Sequence, residues 1–540
     1  MIFFALVGVL VAASTVSAAY NSSSFSWSSI APTSDLRYHD CYNEYKCARF
    51  KLPLDWLNGS DTRTVAIAIM KLPTTVADHD ASFGGSVFTN PGGPGSPGVE
   101  FMLNRAHQLR SIIDKNQHYE IVSTPRSQCF QNELARDAMR LQAWSDKTNG
   151  EIMGYAGTSS VARDMVAIVD KTDELRTSQS NKQGQKIKQS VPRLQYIGFS
   201  YGAVLGNYFA SMFPGRVGRM VLDGVFNAND YATGPGWVAS LVDADKIYHS
   251  FFEGCYNAGS LNRVDSFMAH LDKSPLALQY QGTPFVLAGD HVRTIIGSVL
   301  YDPAAGFQTL AYGLAQAIAG NSTLPVAAFV ETGNFPSLSE GCAIDTVSQG
   351  DEASLAVLCG DGDDVTSKDL AWWRLYVDGQ VSTSRILAPY WSTIRFGCSS
   401  WRFRANWRFT GPFTTPPANA TDVDRVPATP LLFMSNRLDP VSPLRSARAM
   451  AALHPGSAFV IQNAIGHTVV GMDPSECVSN ILATYFESGA VPADTAYCEP
   501  KCGPWDVGCR NSSGSTRRSV ASSVEETVRL SFPLGLSEQH

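Results

Sequence analysis

The sequence predicts an α/β protein with a mostly parallel central sheet, interrupted by a large, mainly helical insertion. Apolar β-type runs alternate with helical patterns up to residue 226, the alternation fades from 227 to about 407, and it returns with Pro430–Met434 and Ala458–Ile461. Strand, helix and strand in that order build parallel sheets. A stretch as long as 227–407 is too long for a loop of a compact domain, so it is expected to form a helical cap. The composition fits a large globular chain: 540 residues, 44% hydrophobic, 17% charged, net charge −7. That balance leaves no electrostatic footprint for nucleic acid.

The elements follow in order. Ile2 to Ala13 is an uncharged apolar run, and small residues at Val16 and Ala18 suit cleavage after Ala18, so residues 1–18 are expected to be a signal peptide. No later stretch approaches the ~20 apolar residues of a bilayer span. The mature chain is therefore expected to be secreted and extracellular, with no membrane anchor. Sequons at Asn21, Asn58, Asn321, Asn419 and Asn511, together with 11 cysteines, agree with a glycosylated, oxidised protein. Short loops suggest the pairs Cys41 with Cys47 and Cys477 with Cys498.

The first core part, 19–226, carries strand candidates at Thr64–Met70, Ser86–Thr89, Tyr119–Val122, Arg193–Ile197 and Arg219–Leu222. Helices are expected at Val161–Val169 and Ala203–Met212, with a polar surface loop over Thr177–Gln189. Trp237–Phe252, Phe307–Ile318 and Leu370–Val377 show helical patterns inside the insertion. The second core part is placed at 408–497, and 498–540 reads as a polar, peripheral, cysteine-containing tail.

Chemistry enters with Gly198-Phe199-Ser200-Tyr201-Gly202. This G-x-S-x-G follows a strand and opens a helix, the setting of a nucleophile elbow. A serine hydroxyl needs a base to take its proton, and that base needs a carboxylate to fix its tautomer. Asp439 and His467 each stand just after a strand candidate, where open α/β sheets build their sites. Asp223, also after a strand, is the alternative acid. The loop Asn90-Pro91-Gly92-Gly93-Pro94-Gly95-Ser96-Pro97-Gly98 supplies backbone N–H groups for an oxyanion hole, with Gly93 and Tyr201 as the expected donors. No metal or organic cofactor is implied, since the triad itself provides nucleophile, base and charge stabilisation.

Taken together, Asn90–Gly98, Gly198–Gly202, Asp439 and His467 resemble the secreted tripeptidyl aminopeptidase-like branch of the α/β-hydrolases, relatives of proline iminopeptidases. The resemblance covers most of residues 30 to 500. Leu52-Pro53-Leu54-Asp55, Ala162-Arg163-Asp164-Met165, Leu222-Asp223-Gly224-Val225 and Phe251-Phe252-Glu253-Gly254-Cys255 extend it, and the C-terminal core part looks like the family's TAP-like region. It implies an α/β-hydrolase fold and release of short peptides from free amino termini through an acyl-enzyme. Ser200 would be the nucleophile, His467 the base and Asp439 the orienting acid. An acidic cap residue would bind the substrate ammonium, and Glu253, Glu331, Glu340 and Glu352 are available.

The chain departs from the family in three places. The segment that usually follows the Tyr-Asp-Ile-Val strand is missing between Val122 and Ser123, which shortens the 119–129 region. The oxyanion loop reads Gly95-Ser96-Pro97-Gly98, and the cysteine that usually follows the match to Cys255 is absent, making Cys255 the candidate unpaired thiol. A carboxylesterase of the same fold and a non-catalytic relative, motivated by the short 119–129 region, are the alternative readings. Oligomeric state is not legible, and Arg517-Arg518 reads as part of a solvated tail.

Overall fold

The computed structural model describes residues 25–96, 98–123, 151–182, 191–254, 261–280, 283–319, 351–422 and 425–506. Its centre is a ten-stranded sheet: β1 (His39–Cys41), β2 (Tyr45–Pro53), β3 (Thr64–Leu72), β4 (Phe83–Asn90), β5 (His118–Ser123), β6 (Leu194–Phe199), β7 (Val217–Asp223), β10 (Leu432–Leu438), β11 (Ala458–Ile465) and β12 (Ala496–Cys498). The spatial order is β1-β2-β3-β5-β4-β6-β7-β10-β11-β12. Only the β1, β2 and β3 pairings run antiparallel, and every pairing from β5 to β12 is parallel. This is the α/β-hydrolase architecture that the sequence predicts.

Alternation along the strands sorts the core into two layers. Leu194, Tyr196, Met220, Leu222, Phe433 and Ile461 face one side with α2 (Thr158–Lys182), α3 (Tyr201–Met212) and α12 (Leu444–Ala452). Ile197, Phe199, Val221, Leu432, Met434 and Val460 face the other with α1 (Gly98–Ile113) and α13 (Glu476–Ser488). The apolar runs that looked continuous in sequence are strands buried on both faces.

Between β7 and β10 the chain leaves the sheet. It forms α4 (Ala228–Ala232), α5 (Ala244–Gly254), α6 (Leu261–Lys273), the hairpin β8 (Leu276–Tyr280) and β9 (Thr283–Leu287), α7 (Gly289–Val299), α8 (Pro303–Ile318), α9 (Asp351–Asp361), α10 (Leu370–Thr383) and α11 (Ala388–Gly397). Phe251, Phe307, Trp391 and their neighbours join the same hydrophobic cluster as α2 and α3, so this mainly helical region packs directly onto the core.

Three expectations need correction. The helical pattern over Trp237–Phe252 becomes helix only from Ala244. The polar stretch from Thr177 is helical as far as Lys182, because α2 contains neither glycine nor proline between Thr158 and Lys182 and nothing halts it. The tail is not wholly peripheral: Trp505 packs on Phe251 and Phe307 of the helical region at ring distances of 5.7 and 5.6 Å. The pairs Cys41–Cys47 and Cys477–Cys498 form, joined by Cys359–Cys398. Cys255, Arg517-Arg518 and the altered junction from residue 124 lie outside the described residues. Among the described residues no helix is long and apolar enough to cross a membrane.

Candidate active site

The G-x-S-x-G becomes a strand–turn–helix elbow between β6 and α3. Ser200 sits at φ 57°, ψ −121°, a conformation that non-glycine residues adopt only under strain. Its two glycines are sterically required. A Cβ on Gly198 would stand 2.4 Å from the Gly202 carbonyl oxygen, and one on Gly202 would stand 2.6 Å from that of Asn90. The backbone N–H of Ser200 donates to the Asp223 carbonyl at 2.9 Å, which ties the elbow to the end of β7.

Asp439, after β10, is fully buried, and His467, after β11, is 9% exposed. The imidazole Nδ1 lies 3.0 and 2.9 Å from the two Asp439 carboxylate oxygens. The carboxylate also accepts backbone N–H bonds from Val441 at 3.0 Å, Ser442 at 2.7 Å and Thr468 at 3.1 Å. A buried carboxylate needs such partners. Nδ1 facing a carboxylate carries the proton in the neutral ring, which leaves Nε2 as the basic atom.

Asp223 does not reach the imidazole. Its carboxylate accepts the backbone N–H groups of Val469 and Val470, each at 2.7 Å, and burial pushes its pKa up to about 6. Asp223 therefore draws the His467 loop back across β10 toward the elbow. A Cβ on Gly471 would lie 3.4 Å from the Phe199 ring, and one on Gly224 would lie 3.3 Å from His467 Cε1. Asn436 holds the same loop by donating to the carbonyls of Gly466 at 3.0 Å and Thr468 at 2.7 Å. Among the described residues Ser200 Oγ has no hydrogen-bond partner, so the Oγ–Nε2 bond of a working triad is not made in this state. Such bonds are often long in unliganded sites and tighten with substrate.

The oxyanion loop leaves β4 beside β6. Gly92 makes the closest approach: a Cβ there would stand 2.5 Å from the Phe199 carbonyl oxygen, 2.9 Å from Ser200 Cβ and 3.2 Å from the Tyr201 nitrogen. Its own N–H is taken by Asn90 Oδ1 at 2.9 Å. The expected donors, Gly93 and Tyr201, thus belong to two chain segments meeting at the nucleophile.

The helical region closes over this constellation. His467 N–H donates to the Tyr301 carbonyl at 2.8 Å, and the rings of Tyr301 and Phe226 meet the imidazole at 5.2 and 6.4 Å. Trp391 stacks on Phe226 at 6.3 Å. These apolar surroundings, and the Asn436 brace, were not found from sequence, since aromatic residues in a helical region carry no motif. Of the acidic cap candidates, Glu253 is exposed at the end of α5, while Glu331, Glu340 and the Glu352 side chain lie outside the described residues. Asn58 and Asn419 are exposed, and Asn21, Asn321 and Asn511 lie outside the described residues. No cluster of metal-ligating side chains occurs among the described residues.

Comparison with known proteins agrees with this architecture. Residues 384–498 match the family model described as TAP-like protein. Serine protease Hip1 of Mycobacterium tuberculosis is 23% identical over 512 residues, covering 84% of this chain and 87% of that protein. Tripeptidyl aminopeptidase of Streptomyces lividans is 20% identical over 523 residues, covering 88% of each. Carboxylesterase B of M. tuberculosis is 24% identical over 526 residues, covering 88% of this chain and 90% of its own length.

Proposed function

From the premise that the chain is an α/β-hydrolase related to the tripeptidyl aminopeptidases, we propose that it is a secreted serine exopeptidase. It removes short peptides from free amino termini through an acyl-enzyme. The observation that carries the serine-hydrolase part of this reading is the strained Ser200 elbow, tied through Asp223 to the loop on which Asp439 holds His467, and the likeness to a tripeptidyl aminopeptidase supports the exopeptidase part.

In this mechanism His467 Nε2 takes the Ser200 Oγ proton as Oγ attacks the scissile carbonyl. Asp439 stabilises the imidazolium. The N–H groups of Gly93 and Tyr201 hold the oxyanion, where such donors have their largest effect. The imidazolium then protonates the leaving amine, and water attacks the acyl-enzyme by the same path. Asp439, buried and triply bonded to backbone N–H groups, orients the base rather than accepting its proton.

A fluorophosphonate probe tests the reading directly, with the modified residue located by peptide mass analysis. Label on Ser200 that is lost in His467→Ala is expected, and no label on folded protein would favour the non-catalytic alternative. The likeness to Carboxylesterase B supports a second reading, because the same triad attacks esters. Acetylating the amino terminus of a tripeptide arylamide separates the two. An aminopeptidase loses that substrate, whereas an esterase of this fold shows no preference for the free amine.

A further inference from the structure

Helix α9 of the cap touches one wall of the oxyanion site and reaches the other through Thr158. Ser354 donates its hydroxyl to the Pro94 carbonyl in the oxyanion loop. Seven residues on, Asp361 ends the helix on the same face, about 10 Å further along at 1.5 Å per residue. Asp361 is 2% exposed and meets the start of α2. It accepts the Thr158 N–H at 3.0 Å, the Thr158 hydroxyl, and the Tyr231 hydroxyl at 2.9 Å. Thr158 Oγ1 in turn lies 2.6 Å from the hydroxyl of Tyr201, the residue that follows the nucleophile.

Donor arithmetic gives this chain a direction. Thr158 has one hydroxyl proton and gives it to Asp361, so the Tyr201 hydroxyl must donate to Thr158 Oγ1. The Tyr201 side chain is thereby anchored, through one threonine, to a buried carboxylate of the cap. The disulfide Cys359–Cys398 fixes α9 to the residue that follows α11, and Arg408 Nε donates to the Asp361 carbonyl at 2.9 Å. A buried carboxylate stripped of its donors is costly, so α9 cannot lift without a penalty.

We propose that Asp361 and Ser354 are positioning residues, through which α9 holds the Tyr201 amide and the 90–98 loop in register about the Ser200 oxyanion. The inference rests on the serine-hydrolase reading and deepens it. The cap then completes the catalytic geometry as well as covering it. Seating α9 adds to the β4–β6 pairing a second tie between the two segments that carry the main-chain donors.

The test uses the full-length protein and four forms besides wild type: Asp361→Asn, Tyr201→Phe, their double variant and Ser354→Ala. Asn in place of Asp361 keeps an acceptor for the Thr158 amide, but its NH2 opposes the donating hydroxyls. The expected result is a fall of about 10- to 100-fold in kcat and in fluorophosphonate labelling rate for Asp361→Asn and Tyr201→Phe, with KM little changed. The double variant should be no worse than the poorer single one, as for residues acting in one chain. Ser354→Ala should show a smaller fall of the same kind. If Asp361→Asn fails to fold, Tyr201→Phe and Ser354→Ala decide the matter. Labelling of wild type together with unchanged kcat in Tyr201→Phe and Ser354→Ala, or losses confined to KM, would overturn the inference alone. Absence of label on folded wild type would instead overturn the serine-hydrolase reading beneath it.

Discussion

Lowering the pH should destabilise this protein through His454, and substituting it should remove that sensitivity. His454 is 1% exposed, with Nε2 2.9 Å from Asn207 Oδ1 and Nδ1 3.2 Å from Thr415 Oγ1. Asn207 Nδ2 donates to the Ala203 carbonyl, so Oδ1 must accept from Nε2–H and Nδ1 is the unprotonated atom. Burial lowers the pKa from 6.5 to about 4. The folded state therefore resists a proton that the unfolded chain accepts. The stabilising effect of the neutral ring is complete above about 6.5 and diminishes as pH falls toward about 4. At 1.36 kcal/mol per unit, the loss reaches about 3 kcal/mol in full and about 2.5 kcal/mol at about pH 4.5.

Asp223 works in the opposite sense. Its folded pKa is raised to about 6, so the folded state takes up a proton first and gains stability as pH falls from about 6 toward 3.8. The two residues oppose each other in wild type, and the comparison must isolate His454. Urea unfolding of wild type and His454→Gln at about pH 7.5 and about pH 4.5 does so, because Asp223 is common to both proteins. The pH-dependent loss in wild type should exceed that in the variant by about 2.5 kcal/mol, whatever the basal cost of the substitution. Equal losses in the two proteins would refute the argument.

Three further outcomes are expected. Asp439→Asn should keep the fold yet lower kcat about 10⁴-fold, because an amide does not hold the base in its working tautomer; retention of more than about a tenth of the activity would contradict the assigned geometry. Gly92→Ala brings a Cβ within 2.5 Å of the Phe199 carbonyl at φ 99°, so kcat should fall at least about 100-fold with KM less affected, and wild-type kinetics would show that the loop is not seated on the elbow. Trp505→Ala should speed amide hydrogen exchange in α5 and α8, whose Phe251 and Phe307 lose their ring contact, and unchanged exchange would show that the tail does not brace them.

The central strands were legible because residues buried on both faces leave long apolar runs, and the elbow because its glycines leave a five-residue signature. The acid and base were legible only through their places after strands. Sequence put Asp439 ahead of Asp223 while leaving both open, since both follow a strand, and the folded His467 loop shows that Asp439 meets the ring and Asp223 the backbone. Asp361 was invisible for a different reason. It carries no local pattern, and its partners Thr158, Tyr201 and Tyr231 are scattered along the chain. The extension of α2 past Thr177 was missed because a polar outer helix face and a polar loop have the same composition.

The strand order has a consequence for biosynthesis. A ribosome making this chain delivers Ser200 at the end of β6, then the whole helical region, and only afterwards β10 with Asp439 and β11 with His467. A half-made molecule holds a serine with no base, and its oxyanion loop has not yet met α9. On the proposed function, hydrolytic competence arrives only when the last strands pair and bring Asp439 and His467 to the elbow. Fragments ending before residue 467 should be inert toward the fluorophosphonate probe.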